Sequence, residues 1–307
     1  MKILVTGGAG FIGSNLADAF IEDGHQVVVV DNLYMGRMTN LHPDVKFYLM
    51  DIRAAEIEKV FETEEIDLVY HQAAQMDVRA SVEDPLFDAS VNISGSLNLL
   101  QNSVKYKVKK FLFASTGGAI YGEQDYVPAD EDHPTRPCSP YGITKLTVEK
   151  YLNYYQQVFG LNYTILRYAN VYGPRQNPHG EAGVVAIFIQ MMMAGGQPII
   201  NGDGKQTRDY VYVKDVVRAN LLVLENGDNE IFNVGTGLES DVNQIFRGLN
   251  EFCGNKTPEK HGPAKEGEQM RSVVSYAKIK SHLGWEPEVL FTDGLAKTVE
   301  YFRKKEM

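Results

Sequence analysis

Apolar positions along the first half of the chain fall into two alternating patterns. Short runs rich in β-branched residues at 2–6, 26–31, 46–50, 67–71, 110–115 and 162–167 are separated by stretches with helical spacing, among them 11–23, 85–106 and 140–159. Runs of this length between longer helical segments predict an α/β fold, a parallel sheet wrapped by helices. Each intervening stretch is long enough for a right-handed crossover. After about Tyr168 the alternation breaks, and Pro, Gly and Asn become frequent through 170–203, a composition that favours loops shaping a ligand site. The expected division is a first domain over 1–167, rejoined by 208–234, and a smaller, interleaved C-terminal substrate domain over 168–207 and 235–307.

Composition narrows the class. With 307 residues, 44% of them hydrophobic, the chain has enough apolar matter for a sizeable core. Acidic residues outnumber basic ones, 40 to 30, and the net charge of -10 is spread without a basic block that could track a phosphate backbone, so nucleic acid is not an expected partner. No run approaches the length of a membrane span, and the apolar start at Ile3 lacks a charged leader, so no membrane partner and a cytoplasmic location are expected. Cys138 and Cys253 match no metal spacing and form no disulfide framework, and no metal site is expected.

The first chemistry lies where the run 2–6 enters Gly7-Gly8-Ala9-Gly10-Phe11-Ile12-Gly13 and a helix opens at Ser14. In that setting Gly7 allows a tight turn and Gly10 a close backbone approach to a pyrophosphate. Gly13 allows helix and strand to pack closely, with the positive helix N-terminus facing the phosphates. Asp31 closes the second run eighteen residues later, where a carboxylate accepts from ribose hydroxyls and repels a 2′-phosphate, which favours NAD over NADP. Arg37, just downstream, is the residue that could receive such a phosphate. Asp51 and Ile52 end the third run, beside the expected adenine site, although Asp is also an ordinary helix cap.

Tyr141 and Lys145 are four apart on a predicted helix and so share one face. Ser139 and Pro140 read as N-cap and first-turn residues, which places Tyr141 at the positive end of the helix dipole. With Lys145 and an oxidised nicotinamide adding positive charge, the phenol is expected to fall toward neutrality and act as a general base. Ser115 and Thr116 close the run that starts at Lys110, at the carboxyl edge of the sheet where such folds bind ligands. Thr116 is the candidate hydroxyl for the substrate and Ser115 its neighbour.

Taken together, Thr6 to Gly13, His71-Gln-Ala-Ala-Gln75, Ser115-Thr116, Tyr141-Gly-Ile-Thr-Lys145 and Arg167-Tyr-Ala-Asn-Val-Tyr-Gly-Pro-Arg175 resemble the extended short-chain dehydrogenase/reductase family, over nearly the whole chain. The resemblance implies a Rossmann-type doubly wound sheet and an NAD cofactor. It adds Phe11, Ile12, Asn32, Ala73, Ala74, Gln75, Asn92, Ser115 and Tyr168 to the cofactor residues, beside Tyr141 and Lys145. It also implies a UDP-sugar substrate held by Gln75, Thr116, Tyr141, Asn170, Val185, Asn201, Arg208, Lys265, Glu268 and Ser272, with Val185 in a loop over the nucleotide. Arg208 is the expected phosphate ligand, since a guanidinium can pair two oxygens at once. Where the family commonly has Arg-Pro-Gly followed by an acid, this chain reads Lys265-Glu266-Gly267-Glu268, and lysine keeps the charge without the two-pronged geometry.

The branch of the family decides the reaction. Members that eliminate water from the sugar resemble one another in an acidic pair directly after the threonine, and here that place holds Gly117-Gly118-Ala119. Hydride return to the other face of C4 is therefore expected, a 4-epimerisation that uses NAD without net consumption. Another nucleotide-sugar epimerase, dehydratase or decarboxylase chemistry, a simple alcohol dehydrogenase that releases NADH and a non-catalytic NAD sensor are the alternatives. The resemblance places Ser272 beside the sugar's C2 substituent, where a small residue is expected to leave room for an acetamido group. The family's common homodimer implies pairing through 85–106 and 140–159.

Overall fold

The run Lys2–Thr6 carries side chains that are almost all buried, as expected of a strand covered on both faces. The computed structural model of the chain describes residues 1–178, 183–254, 256–265 and 269–306. Its strands, in chain order, are β1 (Lys2–Thr6), β2 (Gln26–Asp31), β3 (Lys46–Leu49), β4 (Leu68–His71), β5 (Lys110–Thr116), β6 (Asn162–Tyr168) and β7 (Asn170–Tyr172). They continue with β8 (Ile200–Asn201), β9 (Thr207–Arg208), β10 (Tyr210–Tyr212), β11 (Glu230–Val234), β12 (Ser240–Asp241), β13 (His261–Gly262) and β14 (Arg271–Ser272). The helices are α1 (Phe11–Glu22), α2 (Ile57–Glu64), α3 (Val78–Glu83), α4 (Pro85–Ala89), α5 (Ser96–Lys105) and α6 (Pro140–Phe159). After them come α7 (Val184–Met193), α8 (Val213–Leu222), α9 (Val242–Phe252), α10 (Ala277–Leu283) and α11 (Phe291–Glu306).

Seven strands form one parallel sheet in the order β11-β6-β5-β4-β1-β2-β3. The chain reverses its direction of winding between β1 and β4, so the crevice at their carboxyl ends is the place where such a sheet takes a ligand. This is the parallel sheet expected from the alternating runs, with the Rossmann-type winding that the family resemblance implies. One apolar core packs on each face: Phe20, Tyr70 and Trp285 belong to one, Phe61, Phe111 and Leu152 to the other.

Where 85–106 reads as one helix, the chain makes three pieces. Asp84 caps α4 through Phe87 N, a π-helical turn follows over Ser90–Gly95, and α5 completes the crossover. A π turn adds a residue to one winding and re-aims the side chains on it, a distortion common at functional sites.

Beyond β6 the ladders are short. β7 pairs with β10, β9 lies between β12 and β14, and β8 pairs with β13. A third apolar cluster, including Tyr172, Phe188, Ile189, Phe246 and Leu295, supports them. Among the described residues no helix is long and apolar enough to cross a membrane.

Candidate active site

The glycine turn is held by contact between backbones. Gly7 has φ 70°, a conformation side chains disfavour, and a Cβ there would lie 2.7 Å from the Ala73 amide nitrogen. A Cβ on Gly13 would lie 2.3 Å from the Gly7 carbonyl oxygen. The end of β1, the start of α1 and the loop after β4 therefore meet where no side chain fits, with Ala73 and Ala74 half-buried beside them. Helix α1 begins after Gly10 without a side-chain cap, and its first turn, with Phe11 and Ile12, leaves amides for an outside acceptor.

Asp31 is buried at the end of β2, and its two oxygens accept from Ala9 N at 3.0 Å and Leu33 N at 2.8 Å. Burial raises its pKa against the pull of those two bonds. Asp51 is pulled to about 2, first by Arg53, and also accepts from Asn32 at 3.1 Å. Ile52, buried nearby, turns its carbonyl to Asn98.

A continuous buried polar chain runs under this crevice. Thr6 Oγ1 meets His71 Nδ1 at 2.8 Å, His71 Nε2 meets Ser96 Oγ at 2.8 Å, and Ser96 donates to the Asn92 carbonyl. Burial, with Lys145 nearby, holds the His71 pKa well below the usual range, so the ring is neutral. Asn92 stands in the π turn and clasps the Gln75 backbone, accepting from its N–H and donating to its carbonyl, both at 2.9 Å. The Gln75 side chain is committed inward: its amide donates to Asp77 O at 3.0 Å and Asp88 Oδ1 at 2.9 Å.

Helix α6 starts as its residues require. Ser139 caps it through Gly142 N at 3.1 Å, Pro140 occupies the first turn, and Tyr141 follows half-buried. The Thr116 side chain lies beside the Tyr141 phenol, close enough to lower its pKa. One turn on, buried Lys145 donates to Ala114 O at 2.9 Å, with its nitrogen 5.9 Å from the centre of the Tyr141 ring. The three candidates for the chemistry thus share one small volume at the carboxyl edge of β5.

Taken together, the chain's own groups do not lower the phenol's pKa. Burial, and after it the carboxylate of Asp88, raise the Tyr141 pKa, while Thr116 only opposes them. Burial brings Lys145 down to about 8 against the pull of Asp88 and Glu149. Desolvation is the largest influence on the phenol, and the fall expected at Tyr141 waits on the positive charge of the nicotinamide.

Ser115 faces the other way. Successive strand residues point to opposite faces, and its hydroxyl donates to Glu149 Oε1 at 2.6 Å, inside a buried cluster where Arg167 holds both Glu149 oxygens. Tyr168 is likewise buried and donates to Asn220 at 3.0 Å.

On the sugar side, the missing Cβ of Gly118 would lie 3.4 Å from Asn170 Oδ1, which brings β7 against the loop after Thr116. Arg208 is half-buried on β9, in register with Ser240 and Ser272; it donates to Thr207 O and joins no ion pair among the described residues. Ser272 is buried, and its carbonyl accepts from Asp209 N at 2.9 Å. Asp209 in turn accepts from Thr236 N at 2.8 Å, Thr236 Oγ1 at 2.6 Å and Gly237 N at 3.1 Å. Asn201 lies on β8, Lys265 is exposed, and Glu268 lies outside the described residues.

Val185 is not in a covering loop. It is on α7, 1% exposed within the third apolar cluster, because an apolar helix of this kind buries its side chains. Sequence reasoning missed Asp88 and Thr144, which join the Tyr141 helix to the π turn. The available clue was a carboxylate one helical turn before Asn92 and on its face.

Comparison with known proteins follows the same geometry. The family model described as the NAD dependent epimerase/dehydratase family matches residues 3–235. A solved UDP-glucose 4-epimerase of Thermotoga maritima, with UDP-glucose, is 52% identical, with TM-score 0.98 and 100% of both chains covered. The Thermus thermophilus UDP-glucose 4-epimerase in complex with NAD is 44% identical, with TM-score 0.94 and 99% of each chain covered. The UDP-glucose 4-epimerase of Mycolicibacterium smegmatis is 42% identical over 99% of each chain. The chain is an enzyme that belongs to the NAD dependent epimerase/dehydratase family.

Proposed function

We propose that the enzyme interconverts C4 epimers of a UDP-hexose, with bound NAD as the store for a hydride. The observation that carries this reading is the Tyr141 phenol beside Thr116, with the buried Lys145 nitrogen 5.9 Å from the centre of its ring, next to a turn whose glycines leave no room for side chains. The turn suits a dinucleotide: Gly7 and Gly13 bring backbone amides close, the uncapped start of α1 suits the pyrophosphate, and Asp31 suits the ribose. When bound, oxidised NAD supplies a hydride acceptor and a positive charge beside the phenol.

Tyr141, as phenolate, takes the proton of the C4 hydroxyl while the C4 hydride leaves, and returns it when the hydride comes back on the other face. Thr116 orients that oxygen, and Lys145 stabilises the phenolate. Gly117 and Gly118 supply no acid or base, so the place after Thr116 neither removes a C5 proton nor protonates a departing C6 hydroxyl. Arg208 is the diphosphate ligand, with Lys265 as a weaker, single-point partner. The buried Ser272 leaves space for an acetamido group, so UDP-N-acetylhexoses belong to the expected range. Exposed Leu86, Ile143 and Val158 on α4 and α6 support a homodimer through these helices.

Incubation with UDP-galactose and UDP-N-acetylgalactosamine, with products identified and NADH followed, tests the proposal. The expected products are the C4 epimers without accumulation of NADH. A 4-keto-6-deoxy sugar, or NADH formed in step with product, would overturn it.

A further inference from the structure

Asp88 is fully buried on α4, and no lysine or arginine among the described residues lies within ion-pair reach of it. Its oxygens are satisfied by neutral groups. Oδ1 accepts from Gln75 Nε2 at 2.9 Å and Asn92 Nδ2 at 3.0 Å, and Oδ2 accepts from Thr144 Oγ1 at 2.8 Å. Thr144 lies on α6 between Tyr141 and Lys145, and its hydroxyl also lies 3.0 Å from the Tyr141 carbonyl. An unpaired buried carboxylate is costly to keep. The fold keeps this one, and ties it to the turn that carries the acid/base pair.

We propose that Asp88 is a positioning residue for Tyr141 and Lys145, a fixed negative charge anchored through Thr144 that sets the charge state of both. The claim rests on the proposed epimerase reading only for its kinetic arm. The other charged groups facing the pair do not duplicate it. Glu149, one turn beyond Lys145, is neutralised by Arg167 across both oxygens. His71, from β4, is held neutral by burial. Asp88 is thus the unneutralised anion that raises both the Tyr141 and the Lys145 pKa. Burial is the larger cause for both groups: Asp88 adds to it in holding Tyr141 a phenol and opposes it in favouring the Lys145 ammonium.

Asp88→Asn tests this by two independent readouts. In cofactor-free protein labelled with fluorotyrosine, the ¹⁹F resonance of residue 141, identified by its loss in Tyr141→Phe, should titrate about one pH unit lower in Asp88→Asn. In the active enzyme, both limbs of the kcat profile should move down together, because removal of a negative charge favours the phenolate and disfavours the ammonium. Thr144→Val, which cuts the tether and leaves the charge, should lower kcat with much smaller movement of the limbs. An unmoved resonance in a folded Asp88→Asn variant would overturn the inference, as would equal limb shifts in the two variants. If the resonance moves and no epimerase activity exists, the inference stands and the proposed reaction fails.

Discussion

The two sides of the crevice are built by different means. On the cofactor side, strands of four to seven residues lie in one parallel sheet, and buried polar groups link in a chain from Thr6 through His71 and Ser96 to Asn92. On the sugar side, the strands that carry Asn201, Arg208 and Ser272 are two residues long. Their alignment depends on single side chains, Asp209 above all. A long ladder distributes positional information over many bonds, whereas a two-residue bridge concentrates it in the group that fastens it. Substitutions should therefore act on different observables on the two sides.

The largest expected effect is on the cofactor side. Gly13→Ala drives a methyl to 2.3 Å from the Gly7 carbonyl, a backbone atom with no room to yield because Gly7 is itself pressed against Ala73. The helix start must shift, at a cost of about 3 kcal/mol. NAD affinity measured by titration should fall roughly a hundredfold or more, and unchanged affinity would mean that the turn is not the dinucleotide cradle.

Asp209→Asn probes the sugar side. An amide can accept at only one of its two ends, so bonds from Thr236, Gly237 or Val274 are lost around a buried site, worth about 1–3 kcal/mol. The KM for the UDP-sugar should rise by roughly tenfold to a hundredfold, with NAD affinity unchanged. An equal loss of NAD affinity would show that the two sides are not separable and would break the comparison.

His71 sharpens it from within the cofactor side. Its folded pKa lies well below the ordinary value of 6.5, so the unfolded chain binds a proton that the folded chain refuses. Stability is then intact above pH about 6.5 and falls by about 1.4 kcal/mol for each pH unit below it. Urea unfolding at pH 7 and pH 5 should show a loss that His71→Gln removes, and equal slopes for both proteins would mean that His71 is not a neutral link.

Legibility in the sequence follows the same division. Runs such as 2–6 and 26–31 match their strands because both faces are covered, which leaves nearly unbroken apolar stretches. The glycine turn, Asp31, Thr116, Tyr141 and Lys145 are local patterns with a fixed structural setting, and they fall where that setting puts them. The π turn was not legible, since a one-residue change of winding leaves no mark on helical spacing. Nor was the inward turn of Gln75, whose partner Asp88 comes from another helix. The burial that opposes acidity at Tyr141 was not legible either, because desolvation depends on packing that no spacing encodes. On the sugar side, Val185 was misplaced because the family resemblance assigned it to a covering loop, whereas the apolar stretch there folds as a buried helix.

The smallest effect concerns Ser272, where the short strands should reveal themselves in selectivity. Its side chain is buried on β14, and its carbonyl is fixed by the Asp209 amide, so a larger residue cannot withdraw by moving the strand alone. Ser272→Tyr should fill the space proposed for an acetamido group while leaving a C2 hydroxyl its room. Turnover of UDP-N-acetylgalactosamine should drop about tenfold or more relative to UDP-galactose, since one steric mismatch in a pocket is worth about 1–3 kcal/mol. If both substrates turn over unchanged, the C2 substituent lies elsewhere, and the alignment of β9 with β14 orients the nucleotide rather than selecting the sugar.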